Sequence, residues 1–204
     1  MRIDSEDILA FWFADAGAGP EKAAQRALFW FQPDPTADET IARRFSKAVA
    51  QAALSHLDSW KRSPRPCLAL VILLDQFPRN VYRGTPAAFR YDARALDVAV
   101  HGVAAGHFDR LAPVEQWCFL MPYEHSEDLS VQREGIKLFE QLVEGGLPEW
   151  QPLLRQGLDF ARRHLDIVER FGRFPHRNAI LGRASTAAER AYLEAGGESF
   201  GQSA

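Results

Sequence analysis

What most constrains this chain is the recurrence of apolar residues at three- and four-residue spacing along most of its length, broken by short stretches containing glycine and proline. Ile41, Phe45, Val49, Ala52 and Ala53 follow that spacing, and a helix is the regular structure that gathers such positions onto one face. This helix is expected to end near Trp60, and similar faces predict helices over Ser5–Phe13, Glu21–Phe31, Arg94–Val103, Pro113–Tyr123, Ser126–Val143 and Leu153–Phe171. Thr36-Ala37-Asp38-Glu39 and Thr186-Ala187-Ala188-Glu189 fit the capping box, in which a hydroxyl and a carboxylate satisfy orphan amides at a helix start. The run Cys67–Leu74 is the one ambiguous stretch, because eight apolar residues suit a buried strand or a buried helix equally. No second strand candidate exists to pair with it, so it reads as a buried helix. The expected class is all-α, with about nine to eleven helices in antiparallel pairs and residues 1-204 forming a single domain; a chain of 204 residues buries about 70% of its unfolded surface.

Composition narrows the function. Basic residues number 24 against 27 acidic, so no global positive field favours nucleic acid, although a local patch stays open. The start of the chain, Met1-Arg2-Ile3-Asp4-Ser5-Glu6-Asp7, is acidic where a secretory signal is basic, and eight apolar residues fall far short of the roughly 18 to 20 of a membrane span. Cys67 and Cys118 lie apart in apolar sequence without Cys-x-x-Cys spacing, and so read as small buried hydrophobes. A reducing cytoplasm is the expected compartment, with no membrane association.

Two internal repeats appear. Phe11-Trp12-Phe13 recurs as Phe29-Trp30-Phe31; three consecutive helical residues span about 200 degrees, so each triplet faces more than one neighbour, which is the expectation for core packing. The second repeat pairs Gln76-Phe77-Pro78-Arg79-Asn80, running to Gly84-Thr85, with Arg173-Phe174-Pro175-His176-Arg177-Asn178, running to Gly182 and Ser185-Thr186. A residue before proline is pushed from helical geometry, so Phe77 and Phe174 are expected to end their helices, with Gly84 and Gly182 as stops and Thr85 and Thr186 as starts. Each turn then presents an arginine and an asparagine beside free backbone amides, and the two turns are expected to lie near one another.

Leu73-Leu74-Asp75-Gln76-Phe77-Pro78-Arg79-Asn80-Val81-Tyr82-Arg83-Gly84-Thr85-Pro86 resembles the signature of the bacterial domain-of-unknown-function 924 family. Met121-Pro122-Tyr123-Glu124-His125-Ser126-Glu127-Asp128-Leu129 with Gln132, and Arg170-Phe171-Gly172-Arg173-Phe174-Pro175-His176-Arg177-Asn178 with Leu181-Gly182-Arg183, follow in the order that family shows. The resemblance implies a tetratricopeptide-like stack of antiparallel helix pairs. It implies no mechanism, and the roughly 34-residue consensus of true tetratricopeptide arrays is not evident here.

Charge is uneven along the chain. Arg155–Arg183 holds seven arginines against three acids, whereas Met121–Glu134 holds four acids against one arginine, so the two segments are expected to meet. One reading is a purely structural ion-pair network of Arg79, Arg177, Glu127 and Asp128. A second is a site for a small anionic ligand or an acidic peptide, built from Asp75, Arg79, Asn80, Arg83, Glu127, Arg173, Arg177, Asn178 and Arg183 at helix ends. A third is a hydrolase or lyase-type enzyme with His125, Asp128 and His176 as catalytic residues on an anionic substrate. No nucleophile-elbow, phosphate-loop or dinucleotide fingerprint supports the third, and Ser126 reads as the cap of a helix opening with Glu127 and Asp128. Glu124, His125, Asp128 and His176 or His164 lack diagnostic metal spacing, so neither a metal nor a cofactor is expected. His164, four residues from Phe160 and Val168, reads as a packed histidine with a backbone partner. Asp75, following eight apolar residues, needs a partner if buried, and Arg79 is the nearest candidate, with Arg83 next.

Overall fold

The computed structural model describes residues 3–201, and among these the regular structure is helical without strands. The helices are α1 (Ser5–Phe13), α2 (Pro20–Phe31), α3 (Pro35–Ala53), α4 (Pro64–Val71), α5 (Phe77–Val81), α6 (Asp92–Ala104), α7 (Pro113–Glu124), α8 (Leu129–Gly145), α9 (Gln151–Phe171) and α10 (Ala187–Glu194). Helices close in sequence pack on one another: α6 on α7, α7 on α8, and α8 on α9 most extensively. Arg133 near the start of α8 pairs with Glu169 near the end of α9, and Arg162 pairs with Glu140, so these two helices run antiparallel. This consecutive packing is compatible with a tetratricopeptide-like stack.

The core lies where the apolar run sits. α4 and the segment after it are wholly buried from Cys67 to Leu74, and α1, α3, α6 and α7 pack around them. A helix buried on every side needs no polar face, which is why periodicity alone was silent there. The two thiols are free, and burial pushes Cys67 up to about 11 and Cys118 higher. The aromatic triplets pack largely against each other. Trp12 stacks on Trp30 with centroids 6.2 Å apart, and the Trp30 indole donates to the Trp12 carbonyl at 2.9 Å. Phe31 is the exception, 43% exposed.

Four local expectations are corrected. Thr36 does not cap α3; Asp34 does, accepting from the Thr36 and Ala37 amides, because Pro35 fits the first helical position and moves the start upstream. That helix ends at Ala53, not near Trp60, with Ser55 at φ 66° and a separate 3-10 turn over Asp58–Arg62. Ser126 does not cap α8; Asp128 does, through the Ser130 and Val131 amides at 2.7 and 3.3 Å. Phe77 does not end its helix: α4 widens into a π-helical turn over Ile72–Gln76 and continues as α5. Pro78 has no amide to give the helical ladder, and the wide turn absorbs the misfit by taking the Phe77 amide back to the Ile72 carbonyl. In the second turn Phe174 is extended, as expected before proline, and opens the 3-10 turn Pro175–Arg177, but it does not end α9, which stops earlier at Phe171 with Gly172 (φ 71°) as its cap. Thr186 caps α10 with a complete capping box.

Candidate functional site

The π turn points two polar residues into the interior. Asp75 is fully buried; its carboxylate accepts from His125 Nδ1 at 2.8 Å and Gln76 Nε2 at 2.5 Å and is ion-paired with Arg79 at 3.2 Å, while Arg79 Nη1 donates to the Asp75 carbonyl at 2.6 Å. Burial alone raises a carboxyl, but Arg79 and then His125 outweigh it and hold Asp75 below the usual carboxylate range. Arg79, one turn on, also forks onto Asp92 at the first position of α6, with both bonds at 2.9 Å. Its desolvation is outweighed by Asp75 and Asp92, so it stays firmly charged.

The second turn arrives beside this pair. Arg177 reaches the same Asp92 at 3.5 Å and donates to the His125 carbonyl at 3.0 Å, with Phe174 and Phe89 under its guanidinium plane. Its carboxylate is shared and its Nε has no partner. Burial accordingly lowers Arg177 to about 10, against the pull of Asp92 and with Arg79 opposing it. The two Phe-Pro-Arg-Asn turns therefore converge through one aspartate.

This junction borders a cavity of about 380 Å³. Arg79, Asn80, Arg83, His125, His176 and Arg177 belong to its lining, together with Gln76, Glu124 and His164. Three histidines stay neutral here, His164 and His176 buried and His125 half-buried. Burial lowers His125, with Arg79 adding to it against Asp75; burial and then His125 lower His164 strongly; burial and then Arg177 bring His176 to about 3. Glu124 is raised well above the usual carboxylate range by burial and then by Asp75, and its Oε1 and the His176 Nδ1 have no hydrogen-bond partner. His164 takes the Phe160 carbonyl as its backbone partner at 2.9 Å. His125 Nδ1 is committed as donor to Asp75, which leaves its Nε2 unprotonated and free to accept a proton.

The remaining sequence candidates lie elsewhere. Asp128 is an exposed helix cap outside the lining, so the carboxylate on His125 is Asp75 and not Asp128. Arg183 forks onto Glu127 at 2.7 and 2.9 Å, Glu127 also accepts from the Phe174 amide, and Asn178 bridges Arg183 and Ser185. Arg173 forks onto Glu189, which it brings down to about 2. Arg173, Asn178, Arg183 and Glu127 thus lie outside the cavity lining in a closed set of pairs that fixes the second turn. The acidic and arginine-rich segments do meet, through Glu127 and Arg183. Asn80 and Arg83 line the cavity but are tied to Asp38 at 2.8 and 3.2 Å.

Sequence reasoning missed Asp92, Asp38 and the aromatic wall of Trp30, Phe31, Trp117 and Phe160. Asp92 carried a usable signal, since an acid at a helix start is a natural arginine partner. The model of a family described as bacterial protein of unknown function (DUF924) matches residues 8–197. The chain belongs to this family. A solved protein of unknown function from Agrobacterium tumefaciens is 39% identical with a TM-score of 0.78, covering 94% of this chain and 97% of that one. No curated protein matches the chain. Family membership therefore agrees with the helical architecture and leaves the chemistry of the cavity to be argued from its residues. No helix among the described residues is long and apolar enough to cross a membrane, and no cluster of three or more metal-ligating side chains occurs among them.

Proposed function

We propose that the cavity binds a small anion, with Arg177 as its principal cation and His125 and His176 as flanking hydrogen-bond partners. The observation that carries the reading is the contrast between the arginines of the two turns. Arg79 has two carboxylates, whereas Arg177 has a distant share of one, a partnerless Nε and a lowered pKa of about 10. A buried guanidinium in that condition gains most from an arriving negative charge. The three neutral histidines fit the same picture, since Arg177 is among the charges holding His164 and His176 unprotonated, and an anion would reverse that influence. A volume of 380 Å³ lies within the range of about 300 to 1,000 Å³ of small-molecule sites and suits an ion better than an acidic peptide segment. The two buried free thiols fit a cytoplasmic setting.

Isothermal titration with inorganic phosphate, sulphate and acetate tests this. Saturable binding of at least one anion is expected; heats no larger than dilution for all three would overturn the reading.

A second reading, acid-base catalysis, is favoured by one observation: the 2.8 Å contact from His125 Nδ1 to the buried Asp75, which orients the ring as a base in the cavity that also holds Glu124, whose carboxyl burial raises. It replaces the Asp128 of the sequence reading with Asp75.

A further inference from the structure

We infer that the ligand of this cavity carries a flat aromatic ring on its anionic group, as an aryl phosphate or aryl carboxylate does. The inference rests on the anion-binding reading above and adds the lining residues that reading leaves unused. Besides its cations and histidines, the lining includes Trp30, Phe31, Trp117, Phe160 and Met121. These rings form a contiguous set: Phe31 lies 5.8 Å from Trp117 and 6.2 Å from both Trp30 and Phe160, nearly parallel to the last at 16°.

None of these rings belongs to the chain of contacts that links His125, His164, Phe174, His176 and Phe200. The rings of Trp30, Phe31, Trp117 and Phe160 are therefore a separate aromatic cluster within the lining. Phe31 and Phe160 remain 43% and 38% exposed although every other ring of the triplets is packed away or half-buried, so the aromatic wall is apolar surface left open beside a buried cation. An inorganic ion engages only the arginines and leaves that surface wet. A flexible acyl chain is the alternative apolar tail, but Met121 is the only aliphatic side chain of appreciable size on the wall among the described residues. Planar faces set for offset or edge contact at 5 to 7 Å favour a ring over a chain. Arg163, also in the lining, lies 3.9 Å over Phe160 and pairs with Glu198.

The test titrates the full chain with two matched pairs, phenyl phosphate against inorganic phosphate and benzoate against acetate, by calorimetry and by tryptophan emission, since Trp30 and Trp117 both line the cavity. The expected result is that, in at least one pair, the ring-bearing member binds ten times more tightly or better and alters the emission; the pair in which this happens identifies the headgroup. In Phe160→Ala the ratio within that pair is expected to fall to about two, and Leu147→Ala, far along the chain on an exposed site outside the lining, is expected to leave it at ten. Phosphate or acetate binding with no advantage for either ring-bearing member overturns this inference and leaves the anion reading standing. Absence of binding by all four overturns both. A ratio that survives in Phe160→Ala and also in Phe31→Ala overturns the assignment of the ring to this wall.

Discussion

The two Phe-Pro/Arg-Asn segments share a pattern, with His176 inserted in the second, and differ in structure. Both exit through a left-handed glycine, Gly84 at φ 72° and Gly182 at φ 66°. They differ at the entrance. Before Phe77 lie eight buried apolar residues whose packing holds the helix together, so the proline is absorbed by a π turn. Before Phe174 lies Gly172, which ends α9 outright and lets the chain extend. The consequence is electrostatic. The continuous helix sets Asp75 one turn below Arg79 and neutralises it, whereas the broken one gives Arg177 no carboxylate of its own. One arginine becomes part of the framework and the other becomes available.

The largest expected effect follows from this inequality. Arg79→Met leaves Asp75 buried with only the His125 and Gln76 hydrogen bonds and no cation against it, and a cost of about 3 to 5 kcal/mol is expected by chemical denaturation, the range for one broken partner of a buried pair. Arg177→Gln loses the bond to the His125 carbonyl but also relieves a poorly compensated charge, so about 1 kcal/mol is expected. Equal losses for the two variants would break the comparison.

A smaller effect sharpens the backbone half of it. Gly172→Ala forces a side chain into φ 71° and is expected to cost about 1 to 2 kcal/mol in denaturant midpoint. No glycine guards the entrance of the first turn, so its conformation is expected to answer instead to core packing. Gly102→Ala, whose Cβ would sit 2.4 Å from Phe119 Cζ beside Cys67 of α4, tests that with an overpacking cost of about 1 to 3 kcal/mol.

The third effect depends on pH. His176 has a folded pKa of about 3, below that of the unfolded chain near 6.5. Above pH 6.5 the ring is neutral in both states and stability is unaffected. As pH falls from there toward 3, the unfolded chain takes up a proton that the folded chain refuses, so stability declines, by about 1.4 kcal/mol per pH unit at full slope. His176→Asn is expected to flatten that decline when unfolding is followed between pH 6.5 and 4.5; an unchanged slope contradicts the placement of a neutral histidine beside Arg177.

Much of this architecture was legible in advance. α1 was bounded correctly by its apolar spacing, Cys67–Leu74 was identified as buried helix for lack of a strand partner, and Thr186 capped its helix as the pattern required. What escaped was decided by tertiary context. Asp34 displaced Thr36 because a following proline favours the first helical position, and the π turn arose because the energy of packing eight apolar residues outweighs a local preference. The convergence of Arg79 and Arg177 was expected, but the shared carboxylate, Asp92, lies in a helix that sequence marked only by its periodicity. The choice of Asp128 for His125 followed nearness in sequence, whereas Asp75 meets the ring across fifty residues.

The central claim is that Arg177, and not the ion-paired arginines around the cavity, holds the anion. The most direct measurement is the thermal shift produced by inorganic phosphate in wild type, Arg177→Gln and Arg83→Gln, the last losing a cation that is already paired with Asp38. Phosphate at about 100 times its dissociation constant is expected to add about 2.7 kcal/mol to wild type, to add most of that to Arg83→Gln, and to add nothing to folded Arg177→Gln. A full shift in Arg177→Gln, or none in wild type, would contradict the account.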